Sequence, residues 1–437
     1  MKTYQSSSND DHKNSQKPWW VGSLNARIGF FLAFRQIRRS SLWTTGLITF
    51  VMVLTFLNLV VVSGILVGLI QGSIDAQRVH YTSDVILSTP TEKSYIENSP
   101  GVIALVKSLP QVDILSARYR SGVTLEANYK TRTKESDKPN IAGTQLVGID
   151  PIAENELTGI SKFIIEGQYL TPTDYDQVLL GSLLLKKYLP FDIPGFTPLE
   201  NVGPGSTIRL KVNGVEREVT VKGVLKSKVD QVGQSVYMVD SQVRSLIGRG
   251  DHNVVEIAIR LKPGADPIVV RDALIRSGVE KQAKVQTYVD AQPKFLKDIE
   301  TTFALLGNMI SSIGLVVASI TIFIVIFINA LTRRKFIGIL KGIGISGEAI
   351  ECSYIFQSFF YAVCGSLIGL AILYGFLQPF IARHPIDFPF SDGILVAPLG
   401  ETFVRIGLLV LATIIAGYIP ARMIVRKNTL DSILGRK

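Results

Sequence analysis

Two cysteines occur in the 437 residues, Cys352 and Cys364, and both lie in or beside an apolar run. The polar middle of the chain, 75–300, therefore has no disulfide available and must stand on its hydrophobic core, which at that length can divide into two lobes. The four histidines, His12, His80, His252 and His384, show no ligand spacing and argue against a metal site. There is no Gly-Lys pair, hence no G-x-x-x-x-G-K-[ST] loop, and the chain is not expected to hydrolyse ATP by itself. No G-x-S-x-G elbow is present either; Gly344-Ile345-Ser346-Gly347 comes nearest, beside an apolar run. Asp174 and Asp176 in TPTDYDQ read as a solvated turn in preference to a catalytic pair. No catalytic residue emerges.

Charge is missing in four places. No Asp, Glu, Lys or Arg occurs between Arg39 and Asp75, Glu300 and Arg333, Glu351 and Arg383, or Arg405 and Arg422. The first three runs exceed the ~20 residues that cross a bilayer, and the fourth reaches that length from Thr402 to Val425. Buried globular helices this long with no polar face are excluded on length, and the polar, basic stretch before the first run rules out a signal peptide. Four transmembrane helices are expected, with a large α+β domain between the first and second.

The net charge of +10 is not spread evenly. Residues 1–42, 333–351 and 422–437 hold 16 basic and five acidic residues, whereas 75–300 holds 28 of each. The positive-inside rule places both termini and the 333–351 loop in the cytoplasm. The basic excess thus reports topology and contact with anionic membrane lipids, and no nucleic-acid partner is implied. The expected order is a disordered cytoplasmic tail (1–22), an amphipathic juxtamembrane helix (23–41), span 1 (42–74), the extracytoplasmic domain (75–300), span 2 (301–332), a cytoplasmic loop (333–351), span 3 (352–382), a short outer loop (383–401), span 4 (402–425) and a cytoplasmic tail (426–437). In 23–41, Leu24, Ile28, Phe31 and Leu32 form one stripe beside Arg27, Arg35, Arg38 and Arg39; the segment either lies on the inner membrane surface or continues into span 1.

In the middle domain, 206–225 alternates apolar and polar residues on either side of Asn213-Gly214, which predicts a β-hairpin. Strands are predicted at 254–261 and 284–289 and a helix at 265–278. Segments 84–88, 100–109 and 113–129 suggest a βαβ-like unit, and 130–140 is a polar loop. Glu401 and Arg405, at i, i+4, read as an interfacial ion pair. Asn58, Asn329 and Gln357 within the spans read as partners in interhelical hydrogen bonds.

Between spans 2 and 3 stands LTRRKFIGILKGIGIS, 331–346. As a helix it aligns Phe336, Ile339, Leu340 and Ile343 on one face, with Arg333, Arg334 and Lys341 able to reach phosphates or acids, and Gly338 and Gly342 four apart on a bare strip. Either it docks a partner or it lies in the headgroups.

This segment resembles the motif E-R-x-R-E-I-G-I-L-[RK]-A-I-G-A-S of the FtsX/MacB-like permeases of ABC transporters, which include lipoprotein-releasing permeases. Arg333, Arg334, Ile337, Gly338, Ile339, Leu340, Lys341, Ile343 and Gly344 follow the pattern, while Phe336 replaces its usual acid. AGYIPARMIVRKNTLDSIL, 416–434, is similar to the family's closing motif, with Pro420, Ala421 and Arg422 in register. QLVGIDP, IIEGQYL and QVLLGSLLLKKY match its outer-domain signatures in order. The resemblance implies a protein of the bacterial inner (cytoplasmic) membrane acting as a dimer of permeases, homo- or heteromeric. Each permease would dock a cytoplasmic ATPase that binds the ATP, so the chain itself would need no cofactor, and 333–346 would be the coupling helix. It further implies work on an extracytoplasmic lipoprotein, peptide or amphiphile, with an adaptor as a possible partner, or regulation of a cell-wall hydrolase. An ATPase-independent scaffold is the third reading.

Overall fold

The computed structural model describes residues 19–130, 132, 139–189, 195–384, 386–388, 391–393 and 395–426. Of the tails expected at 1–22 and 426–437, residues 1–18 and 427–437 lie outside the described residues, as does most of the loop at 130–140, while 19–22 already belong to a helix. In chain order, α1 (Trp19–Arg38) precedes α2 (Leu42–Leu57), which passes through a π-turn at Asn58–Val62 into α3 (Ser63–Gln77) and a second π-turn at Arg78–Thr82. Then come β1 (Val85–Ser88), α4 (Ser99–Ser108), β2 (Val112–Glu126), β3 (Ile141–Ile149), α5 (Pro151–Thr158), β4 (Ile164–Gly167), β5 (Gln177–Gly181), β6 (Thr207–Val212), β7 (Val215–Leu225), α6 (Asp230–Gly233), β8 (Ser235–Val239), α7 (Asp240–Leu246), β9 (Glu256–Leu261), α8 (Pro267–Arg276) and β10 (Lys284–Thr287). The chain closes with α9 (Lys294–Thr332), α10 (Arg334–Gly342), α11 (Gly347–Ile372), a π-turn at Leu373–Leu377, α12 (Gln378–Arg383) and α13 (Leu399–Val425), with two-residue strands Ile386–Asp387 and Asp392–Gly393 pairing before α13.

Four helical segments are long and apolar enough to cross a membrane: Leu42–Thr82, Leu296–Thr332, Gly347–Arg383 and Leu399–Val425. They outrun the charge-free stretches that mark them. The first continues past Asp75 and Arg78, and α9 starts before Glu300, because a helix leaving the bilayer keeps its backbone bonds while its side chains return to water. At 41 residues the first is about 60 Å long, twice the ~30 Å hydrocarbon thickness. The loop expected at 333–351 is correspondingly shorter, since α11 already begins at Gly347. The chain divides into a membrane unit, residues 1–67, 303–384 and 395–437, and an extramembrane unit, 68–302 with 385–394.

In the extramembrane unit, the sheet order β10-β1-β9-β2 with α4 and α8 as crossovers is a split β-α-β arrangement used twice. The predicted βαβ is thus present, but β9 is inserted between its two strands and runs antiparallel to both. Strand β2 belongs to two lobes. Val112 to Arg118 pair with β9, then Tyr119 to Glu126 pair with β3 and reach β6. The Asn213-Gly214 hairpin joins β6 to β7, with φ of 49° and 82° at its two corner residues, as a type I′ turn needs. A main core runs through both lobes, from Val85 and Ile257 to Leu210 and Val221. A second, smaller core of Ile149, Leu179, Leu225 and Tyr237 packs partly buried Ala76 and Tyr81 from the end of the first long helix.

The membrane unit is organised around α11. A Cβ on Gly365 or Gly369 would overlap Met52 or Phe56 of α2, so these glycines set how closely the helices approach. Helix α1 is separate from span 1, broken off at residues 39–41. It packs along the first turns of α11 with a small and polar face: Gly29 lies against Cys352, Ala33 is buried, and Gln36 accepts a hydrogen bond from Gln357 at 2.5 Å. Leu24 and Phe31 of the predicted stripe point outward, on the side of α1 away from this packing. Replacing Gly365 with leucine should force α2 off α11 at a cost of about 1–3 kcal/mol. Unfolding in mixed detergent should show the loss, while Gly407→Leu, at a helix position with open space around it, should unfold like wild type.

Candidate functional site

Helix α10 is built by its ends. Gly344 sits at φ 96°, and the amides of Gly344 and Ile345 donate to the carbonyls of Lys341 and Leu340, both at 3.0 Å, closing the helix in a Schellman motif. Few other residues adopt that angle without strain, which is the physical content of the glycine in the motif. Ser346 then caps α11, its hydroxyl accepting from the Ala349 amide at 3.2 Å and donating to Asn25 of α1 at 2.9 Å, while Asn25 donates to Glu348. The turn between α10 and α11 is therefore pinned on both sides.

The predicted face of α10 is divided by the structure. Ile337 and Leu340 are buried in the membrane-unit core with Ile424 and Val425, and Gly338 is buried with them. Phe336, Ile339 and Ile343, at i, i+3, i+7, are 50%, 52% and 71% exposed, and Gly342 is also exposed. Leu340 is consequently not available to a partner. Helical spacing alone could not separate the two stripes, since both are apolar. Lys341 is likewise reassigned: its Nζ donates to the Val425 carbonyl at 2.5 Å and caps the C-terminus of α13. Arg333 and Arg334 are half-buried at the start of the helix. Of the closing motif, Pro420 and Ala421 are buried within α13, whereas Arg422 is exposed with its guanidinium over the Tyr418 ring at 5.5 Å.

A second constellation, one that the sequence reading missed, lies where β2 changes lobes. Ser116, Arg118 and Arg120 share one face of β2. Arg118 is 2% exposed and grips Glu154 of α5 through Nε at 2.9 Å and Nη2 at 2.7 Å, with Ser116 donating to the same carboxylate at 2.7 Å. Glu256, paired with Arg118 in the strand register, takes Arg120 at 2.5 Å and the Tyr81 hydroxyl at 2.9 Å. Burial alone lowers the affinity of Arg118 for its proton, but Glu154 and Glu256 more than offset this and hold its pKa above the ordinary value. Tyr81 belongs to the π-turn that ends the first long helix. In the same turn Arg78 pairs with Asp84 at 2.6 Å, and His80 Nδ1 lies 3.2 Å from the Thr158 carbonyl. One ionic network thus ties the helix end, both lobes and α5 together.

Elsewhere, Asp174 pairs with Lys222 and Asp176 with Arg217, both cations on β7, in keeping with a structural turn. Among the described residues no group of three or more His, Cys, Asp or Glu is placed to hold a metal ion. Glu401 and Arg405 do meet, at 3.6 Å.

Four membrane-length helices, an α+β domain inserted after the first, and a capped amphipathic helix between the second and third define a permease-type membrane protein. Residues 45–277 match the MacB-like periplasmic core domain, and residues 308–429 match the FtsX-like permease C-terminal region. The chain belongs to this MacB-like, FtsX-like family of ABC transporter permeases, which are proteins of the inner membrane. It is similar to the macrolide export ATP-binding/permease protein MacB of Campylobacter fetus, 23% identical over 188 residues that make up 42% of this chain and 28% of that protein. The namesake from Bdellovibrio bacteriovorus is 29% identical over 181 residues, 38% of this chain and 27% of that one. An uncharacterized ABC transporter permease of Methanocaldococcus jannaschii is 22% identical over 241 residues, covering 53% and 57%. The chain thus aligns with less than a third of each of these MacB relatives. The crystal structure of the periplasmic region of MacB from Actinobacillus actinomycetemcomitans aligns at 16% identity and a TM-score of 0.32, over 48% of this chain and 92% of that one.

Glu154→Gln should leave buried Arg118 without its bidentate counter-ion, with only Glu256 at 3.7 Å beside it, and destabilise the extramembrane unit by about 3 kcal/mol. Thermal unfolding and protease resistance of 68–302 in the intact protein would register it. Glu218→Gln, which breaks an exposed pair with Lys130, should change neither.

Proposed function

We propose that this chain is the non-catalytic membrane subunit of an ABC transporter and passes the work of a separate ATPase to its extramembrane unit. The observation that carries the reading is α10. Between spans 2 and 3 a short helix is fixed by a Schellman turn, a serine cap and the Lys341 cap on α13, and still turns Phe336, Ile339 and Ile343 outward. A helix that only rested in headgroups would not need such fixing; one that transmits force does. The positive-inside asymmetry supports a cytoplasmic position for α10 and both termini, where an ATPase would meet it. The chain's own lack of a Gly-Lys pair supports ATP binding by a partner.

In this reading the ATPase groove takes the exposed triad, with Arg334 and Lys335 at the rim, and a second permease subunit completes the assembly. The first long helix and α9, both continuous from the membrane unit into the extramembrane unit, carry the motion. Lipoproteins, peptides or amphiphiles are the cargo that the family resemblance implies, and the macrolide export in the names of the MacB relatives favours an amphiphile among them.

Ile339→Asp should place a carboxylate in the apolar contact and remove about 2 kcal/mol or more of interface free energy, over tenfold in affinity. The ATPase should be lost on affinity purification while the chain's own unfolding midpoint holds, because Ile339 is exposed. Leu340→Asp should instead unfold the membrane unit. Full recovery of a stoichiometric ATPase with Ile339→Asp would move the docking site elsewhere.

A further inference from the structure

The membrane unit has a side groove whose lining matches a lipid headgroup. Asn308, Ser311, Ser312 and Leu315 of α9, at i, i+3, i+4, i+7, face Glu401, Val404, Arg405 and Leu408 of α13 in the same spacing, across a cavity of about 520 Å³ closed at one side by Leu59 of the π-turn. This is within the volume range of small-molecule sites. Its polarity is graded. Asn308, Ser311, Ser312, Glu401 and Arg405 lie toward the end where the chain leaves for the extramembrane unit, and Leu315 and Leu408 lie deeper along the helices.

The polar groups are only partly used by the protein. Arg405 Nη1 donates to the Leu59 carbonyl at 3.2 Å, one of those at the π-turn, and its Nη2 lies 3.6 Å from Glu401. Ser311 bonds to Ser63 at 2.9 Å, and Ser312 donates to the Asn308 carbonyl at 2.8 Å. Capping the π-turn accounts for Arg405. The pair with Arg405 occupies one side of Glu401 and leaves its side chain 58% exposed, and the exposed Asn308 amide makes no hydrogen bond among the described residues. Ionisable and amide groups on a membrane helix are costly unless a partner meets them.

We propose that the groove is a binding site for a zwitterionic membrane lipid with an aminoalkyl phosphate head, entering sideways from the bilayer. The ammonium meets Glu401. The phosphate meets the Asn308 amide and the remaining Arg405 donors, and the first acyl methylenes follow Leu315, Val404 and Leu408. The site carries one charge of each sign, so its complement is a head with one of each; a purely anionic head would leave Glu401 facing like charge.

The test uses the full chain in vesicles doped with photoactivatable phosphatidylethanolamine or with phosphatidylglycerol bearing the same acyl diazirine. Labelled peptides are mapped after irradiation. Phosphatidylethanolamine should label segments 308–315 and 400–408 about tenfold more, the factor expected of one charge-assisted hydrogen bond. Glu401→Gln should abolish the preference. Val404→Trp, which fills the groove from an exposed position, should abolish labelling there and leave labelling around Leu411 intact. Equal labelling by both lipids, stronger labelling by phosphatidylglycerol, or labelling in the groove that survives Val404→Trp in a protein with an unchanged unfolding midpoint would overturn the proposal.

Discussion

Inside the extramembrane unit two guanidinium groups are held among two carboxylates, Arg118 and Glu154 with almost no access to water and Arg120 and Glu256 largely buried beside them, and much of the unit's geometry follows from that arrangement. Arg118 stands at the residue where β2 stops pairing with β9 and starts pairing with β3. Its partner Glu154 fixes α5 against β2, and Glu256 fixes the start of β9 and the Tyr81 hydroxyl at the end of the first long helix. A buried ion pair adds little net stability over an apolar filling of the same shape, yet breaking it leaves an uncompensated charge. Such a network specifies a geometry more than it adds stability. Within this unit it joins the end of the first long helix to both lobes.

The membrane unit uses a different currency of rigidity. Helices there gain nothing from burying apolar surface out of lipid, so close contact and capped ends must do the fixing. Gly365 and Gly369 let α2 approach α11, Gly29 lets α1 approach it, and the hydrogen bonds of Asn25, Ser346 and Glu348 lock the α10–α11 turn to α1. What remains outward on α10 is a three-residue apolar stripe on a helix that is fixed at both ends. Helices α3 and α9 each continue from one unit into the other.

Much of this was legible in the sequence, for physical reasons that also mark its limits. Charge-free runs located the four spans because a charge at the bilayer centre is costly, but they missed the helix ends, where charge costs nothing. Asn213-Gly214 located its hairpin because both residues accept positive φ. Arg118 was invisible. A lone arginine in an alternating strand reads as solvent-facing, and only the return of α5 and β9 onto the same face turns it into a buried ligand. Leu340 was misassigned for a similar reason, as the stripes containing Ile337 and Ile339 are equally apolar and only the packing of α13 decides which is internal. The side groove needed two distant helices to be seen facing each other.

The account depends most on the joint at Arg118 being rigid while the protein works. Spin labels at Gln71, on the outer turns of the first long helix, and at Glu92, on the lobe that β1 and β9 build, place both reporters on exposed positions within one unit. Their separation can be measured by double electron–electron resonance in the intact protein, together with any ATPase that co-purifies, with and without nucleotide. One narrow distance distribution, the same in every nucleotide state, is the predicted result. A broad distribution, or one that shifts with nucleotide, would contradict the account, because the helix end would then be moving against the lobe to which the Arg118 network ties it.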